Sequence, residues 1–118
     1  MRYILTLLFI LIFNGCDNKV EVRKDVANTQ VENEKAEIIF QKKCQRCHGI
    51  KGGESALNIT DVIANYNKKE LKRALTLYQK SQRDRHRFGS LMTGIIKDLS
   101  KDEIRILADY ISNFKEKK

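Results

Sequence analysis

The chain has 118 residues, room for one small domain, with 23 Lys and Arg against 15 Asp and Glu, three cysteines, and neither proline nor tryptophan. The net charge of +8 is compatible with nucleic acid, an anionic membrane or an acidic protein as counterpart; no nucleic-acid-binding motif of a recognised kind is present, and an acidic protein partner is the more economical reading. A tryptophan-free core in so short a chain is thin, and scaffolds of this size usually need a staple.

Residues 1–15 open with a single charge, Arg2, and continue as an apolar run from Tyr3 to Phe13. That run is shorter than the roughly 20 residues needed to span a bilayer, but it suits the core of a signal peptide. It ends at Asn14-Gly15-Cys16, small residues before a cysteine. The arrangement resembles a bacterial lipoprotein signal, which implies Cys16 as the lipid attachment site, although Phe13 stands where an aliphatic residue is usual and Asn14 is atypical. An ordinary cleaved signal peptide and an uncleaved anchor are the alternatives. Residues 16–33 are polar and mixed in charge without sustained apolar periodicity, which predicts a flexible tether.

The folded domain is expected over residues 34–118, all-α and without internal repeats. A first helix is predicted from near Glu34, with Ala36, Ile39, Phe40, Lys43 and Cys47 on one stripe. It runs into Cys44-Gln45-Arg46-Cys47-His48, the C-x-x-C-H attachment signature of c-type haem. Two thiols three residues apart share a face of a helical turn, and a histidine four residues after the first shares it too. Cys44 and Cys47 are therefore the candidates for bonding the porphyrin, and His48 for the proximal iron ligand. A thioredoxin-like reading needs a strand–helix–strand setting that the flanks do not offer. A zinc site made with His48 and His86 lacks the usual ligand spacing.

Gly49 gives an exit from the helix, and residues 51–55 read as a loop. Residues 56–66 are ambiguous, with Leu57, Ile59, Val62, Ile63 and Tyr66 suggesting short helical or irregular packing segments. Asn67 followed by Glu70 marks a helix start, with Leu71, Ala74, Leu75 and Tyr78 as its buried face. Residues 80–87 are strongly basic and predict a solvated turn. The segment from Phe88 to Ile96 is short and apolar and contains Met92. Ser100 with Glu103 forms a capping box, and Leu99 with Ile104 a hydrophobic staple, before a last helix that buries Ile104, Leu107, Ala108, Ile111 and Phe114.

With these features in order, residues 36–116 resemble the small monohaem class I cytochromes c of bacteria. Phe40 lies four residues before Cys44, as the N-terminal-helix aromatic does in that family. The run from Leu91 through Met92 to Ser100 resembles the methionine loop before the last helix. Leu107 to Ile111, with Tyr110, resembles that helix, whose aromatic packs on the first. Three departures stand out. Ala36 replaces the usual glycine of the helix crossing. No proline carbonyl follows the haem motif to accept a hydrogen bond from His48 Nδ1. A glycine expected just after Tyr78 is missing, with Ser81 nearby.

The resemblance implies a cytochrome c-like fold packed around one covalent haem c. Met92, at the family position and in an apolar segment, is expected as the sixth ligand, and its thioether would raise the reduction potential. His86 is the rival, but it lies in a run of charged residues where a solvated histidine is the default. The implied function is one-electron transfer rather than catalysis. The expected setting is the periplasmic side of a bacterial membrane, lipid-anchored through Cys16, or soluble in the periplasm if Cys16 carries no lipid. The expected partners are acidic redox proteins or membrane-bound respiratory complexes, approached by a monomer. The alternatives are a haem enzyme or a gas or peroxide sensor with an open sixth position, and a zinc-stabilised binding module.

Overall fold

The computed structural model describes residues 18–115, and among them the only regular elements are helices. Five are α-helical: α1 (Asn18–Lys43), α2 (Gln45–His48), α3 (Lys68–Gln79), α4 (Gly89–Ile96) and α5 (Lys101–Ser112). Two single 3₁₀ turns, Ala56–Asn58 and Ile63–Asn65, fill the ambiguous stretch between α2 and α3. This is the all-α architecture expected. None of the described helices is long and apolar enough to cross a membrane. The apolar run of residues 1–15 and the lipid candidate Cys16 lie outside the described residues.

By its contacts the chain divides into two units, Met1–Gln30 and Val31–Lys118. In the first unit the backbone is helical from Asn18, where the sequence predicts a flexible tether ending at residue 33 and a helix starting near Glu34. The reason is local. No glycine or proline interrupts residues 17–43, so nothing stops the helix from propagating backwards, even without an apolar stripe to reveal it. Residues 25–30 are exposed throughout, which leaves intrinsic propensity as the support for that stretch.

The second unit carries the core. Phe40, Ile96, Ile104, Leu107 and Ile111 are its largest fully buried side chains. Ala36 on α1 and Ala108 on α5 are both wholly buried, small residues that allow helices to pack closely. The expected aromatic packing is present: the Phe40 ring lies 5.9 Å from Tyr110 and 5.0 Å from Phe114, which are themselves 4.9 Å apart. Edge-on arrangements of this kind add to plain burial. Phe40→Ala should therefore cost about 3–5 kcal/mol, measured as the shift of a denaturant midpoint at unchanged slope. The ion pairs Glu32–Arg105 (2.7 Å) and Lys35–Glu103 (3.2 Å) join the same helices at the surface, where such pairs contribute little.

Both predicted capping boxes form. Asn67 Oδ1 accepts from Glu70 N (3.0 Å) while Glu70 accepts from Asn67 N (2.8 Å), opening α3. Ser100 Oγ accepts from Glu103 N (3.1 Å) while Glu103 accepts from Ser100 N (2.8 Å), opening α5. The second box, helped by Lys35, holds the Glu103 carboxyl below the usual carboxylate range. Its contribution is thus present at neutral pH and fades as pH falls through that lowered value. On α3, Leu71 and Leu75 are buried while Ala74 and Tyr78 are half-buried. On α5, Ile104, Leu107, Ala108 and Ile111 are buried, Phe114 beyond its end is half-buried, and Ile106 is buried as well.

Two expectations are corrected. Leu57 and Ile59 are exposed rather than packed, because the backbone at Leu57 and Asn58 turns into the left-handed region (φ 57° and 59°). Cys47 does not continue the buried stripe of α1. That helix ends at Lys43, the path resets at Cys44, and Cys47 emerges exposed on the separate turn α2. Ser81 occupies the place where a glycine was expected, and it takes the left-handed conformation itself (φ 55°). A non-glycine residue there carries a conformational cost of roughly 1 kcal/mol.

Candidate functional site

The helical turn that follows α1 is built by its backbone. Cys47 N and His48 N both donate to the Cys44 carbonyl, at 3.1 Å and 3.0 Å. That closes one turn and places Cys44, Cys47 and His48 around a single cleft. Gly49 ends it at φ 77°, and a Cβ there would press into the Glu54 side chain at 2.8 Å. Beyond the glycine, the chain folds back so that Glu54 N donates to the His48 carbonyl (3.0 Å).

The three side chains differ in environment. Cys44 is buried, and burial pushes its thiol up to about 12, so it is held as a neutral thiol. Cys47 is exposed. His48 is buried, and burial lowers its pKa, which favours the neutral imidazole that can coordinate a metal. Its Nδ1 is buried and has no hydrogen-bond partner among the described residues, in keeping with a chain that lacks the proline carbonyl.

Part of the same cleft is lined by α4. Met92 is half-buried, packs against the hydrophobic core and lines the same cleft. Two bonds fix the helix beside it. Thr93 Oγ1 donates to the Tyr78 carbonyl of α3 (2.6 Å), and Lys43 Nζ of α1 donates to the Ile95 carbonyl (2.9 Å). Leu71, Leu75, Tyr78 and Ile95 furnish apolar wall. Such a lining suits the faces of a large, mostly apolar cofactor.

His86 also lines the cleft, beside Asp61. Its Nε2 lies 3.5 Å from Asp61 Oδ2, within a cluster that sequence reading missed. Tyr66 donates its hydroxyl to the same oxygen (2.9 Å), and Arg85 Nε lies 3.0 Å from it. The Tyr66 bond, then His86 and Arg85, hold the Asp61 carboxyl below its ordinary value. The zinc alternative finds no support, since no three His, Cys, Asp or Glu side chains converge on a metal position among the described residues.

Two thiols, a neutral imidazole and a thioether around an apolar cleft form a donor set suited to iron porphyrin. The scarcity of polar wall agrees with that cofactor. The comparison with protein families gives the same result. The family model described as Cytochrome c matches residues 34–115. No curated protein and no solved structure matches the chain. The chain thus belongs to the cytochrome c family as a small class I c-type cytochrome, a haem protein whose cofactor is covalent c-type haem.

Proposed function

We propose that this cytochrome is an extracytoplasmic one-electron carrier, its haem linked through Cys44 and Cys47 and its iron held between His48 and Met92. The observation that carries this reading is that α4 brings Met92 to the same apolar cleft as the Cys44–His48 turn. When bound, the haem supplies an iron that cycles between ferric and ferrous states. Everything else is the work of the chain. Cys44 and Cys47 fix the cofactor against loss. The neutral imidazole of His48 offers a lone pair, and Met92, on a helix tied by Thr93 and Lys43, offers a polarisable sulfur that favours the ferrous state. The position of His86, with Nε2 3.5 Å from Asp61 Oδ2, supports Met92 over it as sixth ligand. The apolar wall excludes water and favours the less charged form of the centre.

The test is carbon monoxide binding to the reduced protein. Slow or absent binding is expected where a thioether fills the sixth position, and rapid binding would favour a gas sensor or haem enzyme instead.

The basic surface is proposed to steer docking onto acidic redox proteins or membrane-bound respiratory complexes, with an effect that weakens as salt rises. A lipid on Cys16 would hold a monomeric carrier at the periplasmic side of a bacterial membrane and raise its effective concentration there. Cys16→Ser should then move the protein from the membrane to the soluble fraction on cell fractionation. Full retention of the mutant in the membrane would instead point to an uncleaved N-terminal anchor.

A further inference from the structure

The helix that carries Met92 is weak when taken alone. α4 has eight residues, short of the roughly 12–15 at which an isolated helix is even marginal in water, and two of the eight are glycines. Its N-cap residue, Phe88, makes no side-chain cap bond, and no acidic residue stands in its first turn. Gly94 has no packing reason to be glycine: it is exposed, and a Cβ built on it meets nothing within 4 Å. Glycine inside a helix costs roughly 1 kcal/mol against alanine. The position of Met92 therefore depends on what holds α4 from outside.

At the start of α4, Asp84 Oδ1 accepts from Gly89 N (2.9 Å). Two restraints come from α3: Thr93 Oγ1 donates to the Tyr78 carbonyl (2.6 Å), and beyond the helix Gln79 Nε2 donates to the Leu99 carbonyl. The remaining one is of another kind. α4 stops at Ile96, where its last carbonyls lose their helical partners. Thr93 O accepts from Lys97 N (2.9 Å) and Ile96 O from Leu99 N (3.0 Å), while Ile95 O accepts from the ammonium of half-buried Lys43 (2.9 Å). An ammonium there makes a charge-assisted bond and suits the negative end of the helix. Lys43 is the last residue of α1 and immediately precedes Cys44. One side chain thus joins the base of the thiol-bearing turn to the end of the methionine helix.

We propose that Lys43 is a positioning residue for the sixth ligand: by capping α4 at Ile95 it holds that helix closed and keeps Met92 on the iron. The link to the ligand rests on the ligation by Met92 proposed above, whereas the hold on the helix does not. Without the ammonium, α4 opens more often, Met92 is withdrawn in those openings, and an external ligand gains access.

The experiment compares the haem-loaded wild type with variants by two readouts. One is residue-by-residue amide hydrogen exchange; the other is the affinity of the oxidised protein for imidazole, added in its neutral form to compete for the sixth position. In Lys43→Leu, and in Lys43→Gln as a milder removal of the ammonium, exchange at residues 93–97 should quicken about tenfold, with far less change at residues 107–111 of α5. Imidazole should bind these variants about tenfold more tightly. Lys43→Arg, which keeps a cationic donor, should restore most of both. Gly94→Ala added to Lys43→Leu should recover part of the loss by firming the helix without a new contact. Equal quickening in α4 and α5 would make Lys43 a general stabiliser and overturn the proposal, as would faster exchange in α4 without tighter imidazole binding. Met92→Ala separates the two failures. If imidazole binds it no more tightly than the wild type, Met92 is not the ligand and the positioning role falls with it. If imidazole binds Met92→Ala far more tightly while both lysine variants match the wild type, the role of Lys43 alone is overturned.

Discussion

Met92→Ala is expected to leave the haem attached while removing the methionine-to-iron charge-transfer band from the oxidised spectrum. Its reduction potential should fall by on the order of 100 mV, well inside the roughly 0.8 V span that axial ligands command. The fold should largely survive, because Met92 is only half-buried and α4 keeps its ties through Thr93 and Lys43. Carbon monoxide should now bind the reduced protein quickly, since nothing competes for the sixth position. His86 is poorly placed to replace the lost sulfur while it remains paired with Asp61, so a clean low-spin bis-histidine spectrum is not expected. An oxidised spectrum unchanged from the wild type would mean that Met92 is not the ligand.

Removing both thiols should have the larger effect on stability. The Cys44→Ala/Cys47→Ala protein is expected to carry no covalent haem and to lose about 5 kcal/mol or more, comparable with the whole stability of a small domain. The cause is the cleft itself. A cavity walled by Leu71, Leu75, Tyr78 and Ile95 depends on a large apolar occupant for contacts that the side chains cannot make with one another. Circular dichroism melts and intact mass would register the loss together. The single variants separate two contributions. Cys44→Ala also leaves a small hole in the core, whereas Cys47→Ala changes an exposed position. Cys44→Ala should therefore be the more damaging of the two.

What could be read from the sequence was whatever depends on neighbours a few positions apart. The caps at Asn67 and Ser100 involve partners three residues away, and both form. The apolar stripe of α5 has a fixed spacing and buries as expected. The C-x-x-C-H turn is set by two backbone bonds to one carbonyl, so its side chains meet at one cleft as the spacing predicts. The early part of α1 was not legible, because a polar helix without a buried face gives no periodic pattern. The Asp61–Tyr66–Arg85–His86 cluster was not legible either. It joins the segment before α3 to the segment after it, and only the three-dimensional path shows that they meet. Within Arg83-Asp84-Arg85-His86-Arg87, a run of charged residues hid one half-buried arginine, Arg83.

The most direct test of the site is the absorption spectrum of the mature native protein, oxidised and reduced, read together with its intact mass. The expected result is the mass of one added haem, a Soret peak, and in the oxidised form the charge-transfer band of a methionine–iron bond. A matured protein with no porphyrin mass and no Soret peak would contradict it.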